Sequence, residues 1–171
     1  MSSYRVRVGQ REDLAHLVQM WRALVQNATE VDVRYQLNAH SDGWFRDVMS
    51  DQLLARTLPF PGVLVAEHDG SPVAFLTMRP KQAHPALSSA PTVQIGDLYV
   101  SPPHRGSGVG ADLVARAKRT ALDAGYSHAE LHTLYADERA MRFWQAQGFR
   151  PLFATLRDEL SNTPPEETDE M

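Results

Sequence analysis

Along the chain, stretches with hydrophobic residues at every second position alternate with stretches in which hydrophobic residues recur at helical spacing. Residues 4–8 place apolar side chains at every second position, which predicts a first strand with one buried face. Residues 14–27 repeat apolar side chains at helical spacing, and Asp13 stands where a capping residue is expected. A less regular helix is expected over residues 44–54. The first third of the chain therefore predicts one strand followed by two helices.

The middle of the chain carries strand signals. Two β-rich runs, 63–67 and 72–78, flank an Asp-Gly pair at 69–70, and such a pair between apolar runs predicts a β-hairpin. Residues 81–91 are rich in Ala, Ser and Pro and predict an exposed loop. Residues 92–100 predict a further strand. The middle third is therefore expected to supply three consecutive strands.

The last third returns to mixed periods. The spacing predicts a helix over 113–122, a strand over 129–134, a helix over 140–147 and a last strand over 149–156. Gly125 and Gly148 stand where these helices are expected to end, and Asp137 where the second is expected to begin. The resulting order, β, α, α, β, β, β, α, β, α, β, is that of a mixed α/β domain around one sheet.

Length and composition bound the organisation of the chain. Its 171 residues suit a single domain, which we expect to occupy residues 1–160. Residues 161–171 are Pro-rich, contain four acidic residues and no basic one, and are expected to form a disordered tail.

Charge and residue usage narrow the function classes. The chain has 21 acidic and 17 basic residues, and without the acidic tail these charges balance, so no nucleic-acid partner is expected. The absence of cysteine excludes disulfides, thiolate metal sites and a cysteine nucleophile. The histidines show no metal-ligand spacing, so no metal is expected. No apolar run suits a signal peptide or a membrane span, which predicts a cytoplasmic protein without a membrane partner.

The run Arg105-Gly106-Ser107-Gly108-Val109-Gly110 lies between a predicted strand and a predicted helix. Alternating glycines allow consecutive N–H groups to point at one phosphate, and the helix adds its positive N-terminal dipole. A plain flexible turn would look the same, and Gly106, Gly108 and Ala111 also fit the Gly-x-Gly-x-x-Ala pattern of dinucleotide-binding folds. In those folds, however, the glycines directly follow the first strand, whereas here a Ser-Pro-Pro-His spacer intervenes and several strands come earlier.

The wider pattern matches a known family. Residues 105–110 fit Arg/Gln-x-x-Gly-x-Gly/Ala after a strand over 95–100, and residues 143–149 end in an aromatic-x-x-x-Gly-Phe pattern. Over roughly residues 63–153 the chain thus resembles the GNAT superfamily of N-acetyltransferases. The resemblance implies a single-domain GNAT fold: a mixed, mostly antiparallel sheet, splayed at a bulge and flanked by about four helices. It implies acetyl-CoA as acetyl donor.

The resemblance also assigns the binding residues. The pantetheine arm of acetyl-CoA would bond to the backbone of Leu98 and Val100. The pyrophosphate would meet the amides of Arg105, Gly106, Ser107, Gly108, Val109, Gly110 and Ala111. On the last predicted helix, Asp137 takes the place of a family asparagine, and Arg142 is a candidate for the CoA phosphates.

The catalytic assignment is less complete. An aliphatic amine must lose a proton before it attacks a thioester, and Asp97 is the candidate acceptor, although an acidic residue there can equally satisfy nearby backbone groups. The family often carries Glu at the position of Gly96. Trp144 replaces the tyrosine that protonates the CoA thiolate in many members, so Tyr99 or Tyr135 would serve as the acid, or the thiolate would leave unaided.

Two functions follow from the resemblance. The first is an N-acetyltransferase that moves the acetyl group to a primary amine of a small molecule or a peptide, with residues 28–44 and 81–91 expected to contact the acceptor. The second is a catalytically weak or inactive CoA-binding or partner-binding module, motivated by Gly96 and Trp144. A homodimer is common in the family and is expected as a possibility.

Overall fold

One five-stranded sheet organises the protein. The computed structural model describes residues 4–54, 58–82 and 90–158, so the predicted tail and residues 83–89 of the predicted loop lie outside the described residues. The strands are β1 (Arg5–Val8), β2 (Val63–His68), β3 (Ser71–Pro80), β4 (Thr92–Val100) and β5 (His128–Leu131). They lie in sequence order, and all neighbours are antiparallel except β4 and β5. The predicted mixed, mostly antiparallel sheet is confirmed.

Within the described residues, four α-helices cover the sheet on both faces. They are α1 (Leu14–Val31), α2 (Ser41–Leu54), α3 (Val109–Asp123) and α4 (Glu138–Ala146). On one face, α1 and α2 bury residues such as Leu17 and Phe45 against Phe75. On the other face, α3 buries Leu113 against a cluster that includes Leu76, with α4 packed at its margin. Burial of these apolar stripes is what holds helices and sheet together.

The hairpin and the helix ends follow their local residue types. The turn between β2 and β3 consists of Asp69 and Gly70, with φ values of 49° and 78°, as the two-residue hairpin turns require. Gly125 and Gly148 adopt positive φ just after α3 and α4. The Asp137 side chain accepts a hydrogen bond from the Ala140 N–H at 2.9 Å and caps α4.

Three sequence-based expectations are wrong. Helix α1 does not end near Asn27 but continues to Val31, and its hydrophobic period fades because no residue of α1 after Val25 packs against the core. The strand expected over 129–134 ends earlier, since β5 ends at Leu131. The expected strand over 149–156 does not form, and no described strand pairs with these residues. Phe149 still packs against the core, but Leu152, Phe153 and Leu156 are exposed.

Asp13 has a different role from the predicted cap of α1. Its carboxylate accepts no capping bond from that helix and instead accepts the Gln10 N–H at 2.8 Å and both guanidinium ends of Arg7 at 2.7 and 2.8 Å. Arg7 also donates to Glu67 at 2.6 Å. Burial would raise the pKa of Asp13, but the hydrogen bonds from Arg7 and Gln10 outweigh it and lower the pKa. This network ties β1 to β2 and to the start of α1.

Removal of the Arg7 guanidinium should expose the value of this network. We expect Arg7→Met to lower the free energy of unfolding by about 3 kcal/mol, because it leaves the buried Asp13 carboxylate unpaired. Urea unfolding at neutral pH measures this. Because the Asp13 pKa is lowered on folding, its contribution is complete above the unfolded pKa of about 3.9 and is lost as the pH falls through the folded value.

Arg5→Met is the matched control for this test. Arg5 contacts Glu67 at 3.4 Å from a side chain that is 76% exposed, so its loss should cost less than about 0.5 kcal/mol. Equal effects of the two substitutions, or a difference that does not shrink in acid, would contradict the assigned role of Arg7.

Candidate functional site

The parallel strands β4 and β5 separate midway along the sheet. Their pairing ends at Ile95 and Leu131, whereas β4 continues to Val100. The chain then turns through a 3-10 segment, Pro102–His104, into the glycine run and α3. The open side of β4 and the start of α3 therefore lie next to each other. The last residues of β4 therefore have no β5 partner, which agrees with the splayed sheet that the resemblance implies.

A β-bulge lies where the strands separate. Leu76 pairs with Leu98 and Met78 with Ile95, so Gly96 and Asp97 together oppose the single residue Thr77. The Thr77 Oγ1 accepts the Asp97 N–H at 2.7 Å and donates to Asp97 Oδ2 at 3.3 Å. A bulge bends its strand and increases the local twist, which accounts for the divergence of β4 from β5.

Thr77 explains why residue 96 is glycine. A Cβ at Gly96 would lie 2.6 Å from the Thr77 Oγ1, which is too close for any side chain. The space that a larger residue would need at position 96 is thus filled from the neighbouring strand. Sequence reasoning missed Thr77, and the available signal was a single polar residue within the otherwise apolar run of β3.

Asp97 is a carboxyl group in a poorly solvated position. It lies on the same face as Tyr99, two residues further along β4, toward α1 and α2. Burial raises the pKa of Asp97, and the hydrogen bond from Thr77 and the charge of Arg79 offset this only in part. A carboxylate with a raised pKa beside an open cleft is suited to accept a proton.

The glycine run presents backbone donors to solvent. Gly106 and Gly108 have φ values of 77° and 91°, a conformation that L side chains rarely adopt. Within the described ranges, no acceptor takes the N–H groups of Gly106, Gly108, Val109, Gly110 and Ala111. Several of these N–H groups belong to the first turn of α3, where the helix dipole is positive. The run can therefore hold an anion.

The flanking side chains brace this run. The Arg105 Nε donates to the Val100 carbonyl at 2.9 Å, and its guanidinium lies 5.7 Å from the Tyr99 ring centre. The Arg105 N–H donates to Pro102 O at 3.2 Å, so this amide, which the resemblance assigned to the pyrophosphate, is already engaged. The Ser107 hydroxyl donates to the His104 carbonyl at 2.7 Å.

Gly110 lies where α3 packs against β4 and α4. A Cβ there would make ordinary van der Waals contacts, at 3.4 Å to Val100 and 3.5 Å to Phe143, so packing at this position does not require glycine. On α4, Asp137 serves as the helix cap, and Arg142 pairs with Glu138 at 3.2 Å on an exposed surface.

The predicted catalytic tyrosines lie in contrasting places. Tyr99 is buried with the α1 and α2 core, whereas Tyr135 is 87% exposed after β5. Trp144 packs edge-on against Phe143 and Phe149, with ring centres 5.0 and 5.4 Å apart. The side chain of Trp144 is therefore part of the apolar contact between α4 and the residues that follow it.

Part of the predicted acceptor region is described. In residues 28–44, Asp32 is bound by Arg34 through hydrogen bonds that lower its pKa to about 2, so its charge is locally neutralised. Trp44 is largely exposed and lies 6.1 Å from Trp21. Among the described residues, no cluster of three acidic or histidine side chains suits a metal ion. No helix in those ranges is long and apolar enough to cross a membrane.

Comparisons with known proteins agree with this geometry. The model of the acetyltransferase (GNAT) family matches residues 21–149. An uncharacterized N-acetyltransferase of Archaeoglobus fulgidus is 35% identical over 89 residues, which cover 52% of this chain and 60% of that protein. The thialysine N-epsilon-acetyltransferase of Sus scrofa is 27% identical over 157 residues, which cover 89% of this chain and 87% of that protein.

A solved structure shows the same fold. The aminoglycoside N-acetyltransferase AAC(6')-Iy in complex with CoA superposes with a TM-score of 0.71 at 19% identity, covering 94% of this chain and 96% of that one. The splayed sheet, the donor-rich glycine run and the family match across most of the chain lead to one conclusion: the chain belongs to the GNAT family of acetyltransferases and is an acyltransferase.

Proposed function

We propose that the chain transfers the acetyl group of acetyl-CoA directly to the primary amine of a small molecule. The observation that carries this proposal is the position of Asp97, a half-buried carboxyl at the bulge where the pairing of β4 with β5 ends. The relatives named for thialysine and for aminoglycosides favour a small amine over a peptide amine.

The residues of the glycine run fit the cofactor. The unpaired N–H groups from Gly106 to Ala111, without Arg105, would hold its pyrophosphate. No side chain crowds them, since a Cβ at Gly106 or Gly108 would meet nothing within 4 Å. The backbone of Leu98 and Val100 borders the open side of β4 and would hold the pantetheine arm. Bound acetyl-CoA supplies the activated acyl group as a thioester.

Asp97 would accept the proton that the amine releases. Its carboxylate keeps Oδ1 available, because Thr77 donates to Oδ2. The buried Tyr99 beneath Arg105 is better placed than the exposed Tyr135 to act near the cleft. Because a thiolate is a good leaving group, a dedicated acid in place of Trp144 is not required. The named enzyme relatives favour turnover over the alternative of a non-catalytic CoA-binding module.

The substitution Gly108→Val tests whether the glycine run binds the pyrophosphate. Because residue 108 has φ of 91°, the substitution should distort the run and weaken CoA binding tenfold or more, measured by calorimetry. Gly125→Val is the matched control, since Gly125 has φ of 87° at the far end of α3. The control should lose similar stability but keep its CoA affinity. Equal CoA affinity of the Gly108 variant and the parent would contradict pyrophosphate binding by the glycine run.

The proton acceptor is tested by Asp97→Asn. We expect kcat with acetyl-CoA and a panel of amines, followed by thiol release, to fall by about a hundredfold or more. In the parent, kcat/KM should rise with pH through the raised pKa of Asp97. This rise with pH should be absent in the variant. Asp123→Asn, on the exposed end of α3, is the control.

Stability separates this catalytic role from a structural one. A carboxyl whose pKa is raised by folding favours the protonated form, so ionised Asp97 weakens the fold at neutral pH. Asp97→Asn should therefore retain or raise Tm at pH 7 while activity falls. A clear loss of Tm together with normal turnover would show that Asp97 only supports the bulge. Tight CoA binding without turnover of any amine by the parent would favour the binding module.

We also infer a homodimer that covers the segment after α4. Leu152, Phe153 and Leu156 are 66, 85 and 93% exposed on backbone outside any helix or strand, and clustered apolar exposure marks interaction surfaces. Sedimentation equilibrium should show a dimer for the parent and a monomer for Phe153→Asp. A parent that stays monomeric at high concentration would overturn this inference. The cytoplasmic location stays a prediction from the sequence.

A further inference from the structure

Thr77 is a polar side chain in the buried middle of β3. It is 4% exposed, and the other residues of the buried run 73–78 are all apolar. Among the described residues, the only other polar side chain in the buried class is Asp13, which pairs with Arg7. Because burial of a hydroxyl costs free energy unless the group is hydrogen-bonded, the contacts of the Thr77 hydroxyl must account for its place in this strand.

The Thr77 hydroxyl bonds twice to the same residue, Asp97. It accepts the Asp97 N–H at 2.7 Å and donates to Asp97 Oδ2 at 3.3 Å. A hydroxyl has one proton and two lone pairs, so the N–H takes a lone pair and the proton serves the carboxylate. Threonine is branched at Cβ and is therefore restricted about χ1. The hydroxyl thus links the carboxylate to the backbone of its own residue in a fixed geometry.

Glycine at position 96 leaves room for this hydroxyl. Thr77 alone opposes Gly96 and Asp97 in the bulge. A Cβ at Gly96 would lie 2.6 Å from the Thr77 Oγ1 but 3.8 Å from the Thr77 Cβ. The hydroxyl oxygen is therefore the one neighbour that a side chain at position 96 would displace. Gly96 and the contact between Thr77 and Asp97 depend on each other.

The hydroxyl also acts on the charge of Asp97. Burial raises the pKa of Asp97, and the hydrogen bond from Thr77 is the larger of two effects that lower it. The smaller is the charge of Arg79 on β3, and no charged side chain of α1, α2 or β5 contributes within the described residues. Tyr99 is the titratable group two residues further along β4 on the same face. Thr77 thus favours the ionised carboxylate, which is the form that can accept a proton.

We propose that Thr77 is a positioning residue for acetyl transfer, whose hydroxyl holds the Asp97 carboxylate at the bulge by Oδ2 and leaves Oδ1 for the amine proton. The inference rests on the proposed function and deepens it. In the reaction, the amine nitrogen bonds to the acyl carbon, the C–S bond breaks, CoA leaves as its thiolate, and the amine proton passes to Asp97 Oδ1. The Thr77 hydroxyl keeps its own proton throughout.

The substitution Thr77→Val tests the hydroxyl, because valine has nearly the same shape without the oxygen. Loss of the donor disfavours the ionised carboxylate, so the rise of kcat/KM with pH should move upward by about one pH unit. On the acid side of this rise, kcat/KM for the amine should fall about tenfold, while KM for acetyl-CoA stays unchanged. Thr77→Ser keeps the hydroxyl and should restore most of the parent profile. Thr120→Val makes the same change at a half-buried residue of α3 and is the matched control.

The substitution Gly96→Ala tests the same contact without a change at Thr77. The new Cβ should displace the Thr77 hydroxyl from Asp97 and move the pH profile in the same direction as Thr77→Val. Thr77→Ala should do the same by removing the oxygen. Adding Gly96→Ala to Thr77→Ala should change the profile little further, because the Cβ at position 96 then meets nothing closer than 3.8 Å. The two substitutions should therefore be strongly non-additive.

The outcomes separate this inference from the proposed function. If Thr77 were only structural, folded Thr77→Val would lose kcat/KM by the same factor at every pH, with the midpoint of the parent. That result overturns the inference, while proton acceptance by Asp97 stands. An Asp97→Asn variant that keeps the kcat of the parent and its rise with pH contradicts the proposed proton acceptor itself. If Thr77→Val does not fold, a pH profile of Gly96→Ala that coincides with that of the parent overturns the inference instead.

Discussion

The contact between Thr77 and the β4 bulge is the constraint on which the site depends. One threonine on β3 opposes two residues of β4 and bonds both the backbone and the carboxyl of Asp97. The extra residue bends β4 away from β5 and so opens the cleft. The same contact explains Gly96, since a side chain there would clash with the Thr77 hydroxyl. Cleft, carboxyl and glycine thus have a single geometric cause.

The two sides of the cleft offer different kinds of binding groups. The glycine run offers backbone N–H groups whose binding depends on conformation and hardly on side chains. The α1 and α2 face offers side chains: Asp97, to which Thr77 donates, and Arg79, which donates to Gln94. A cofactor shared across a family suits the first kind of surface. An acceptor that differs between members suits the second.

Local sequence signals predicted most of the fold. The Asp-Gly turn, the cap at Asp137 and the glycines after α3 and α4 act within a few residues, and each appears where it was expected. The predictions that were wrong concern elements without such signals. The end of α1 lies beyond the core, where no apolar period marks it, and the segment over 149–156 has a strand pattern but no described strand beside it. A strand needs a neighbour, which its own residues cannot supply.

The sequence by itself determined the elements, their order and the glycine run, because these depend on hydrophobic period and on backbone preferences of single residues. It also marked Asp97 as a candidate, but not why position 96 is glycine. Tertiary structure alone decided that Thr77 meets Asp97, that Arg105 braces the run through its side chain, and that Arg79 lacks a carboxylate partner among the described residues. The reason is physical: such contacts join strands and loops that meet only when the sheet forms, and no local pattern encodes them.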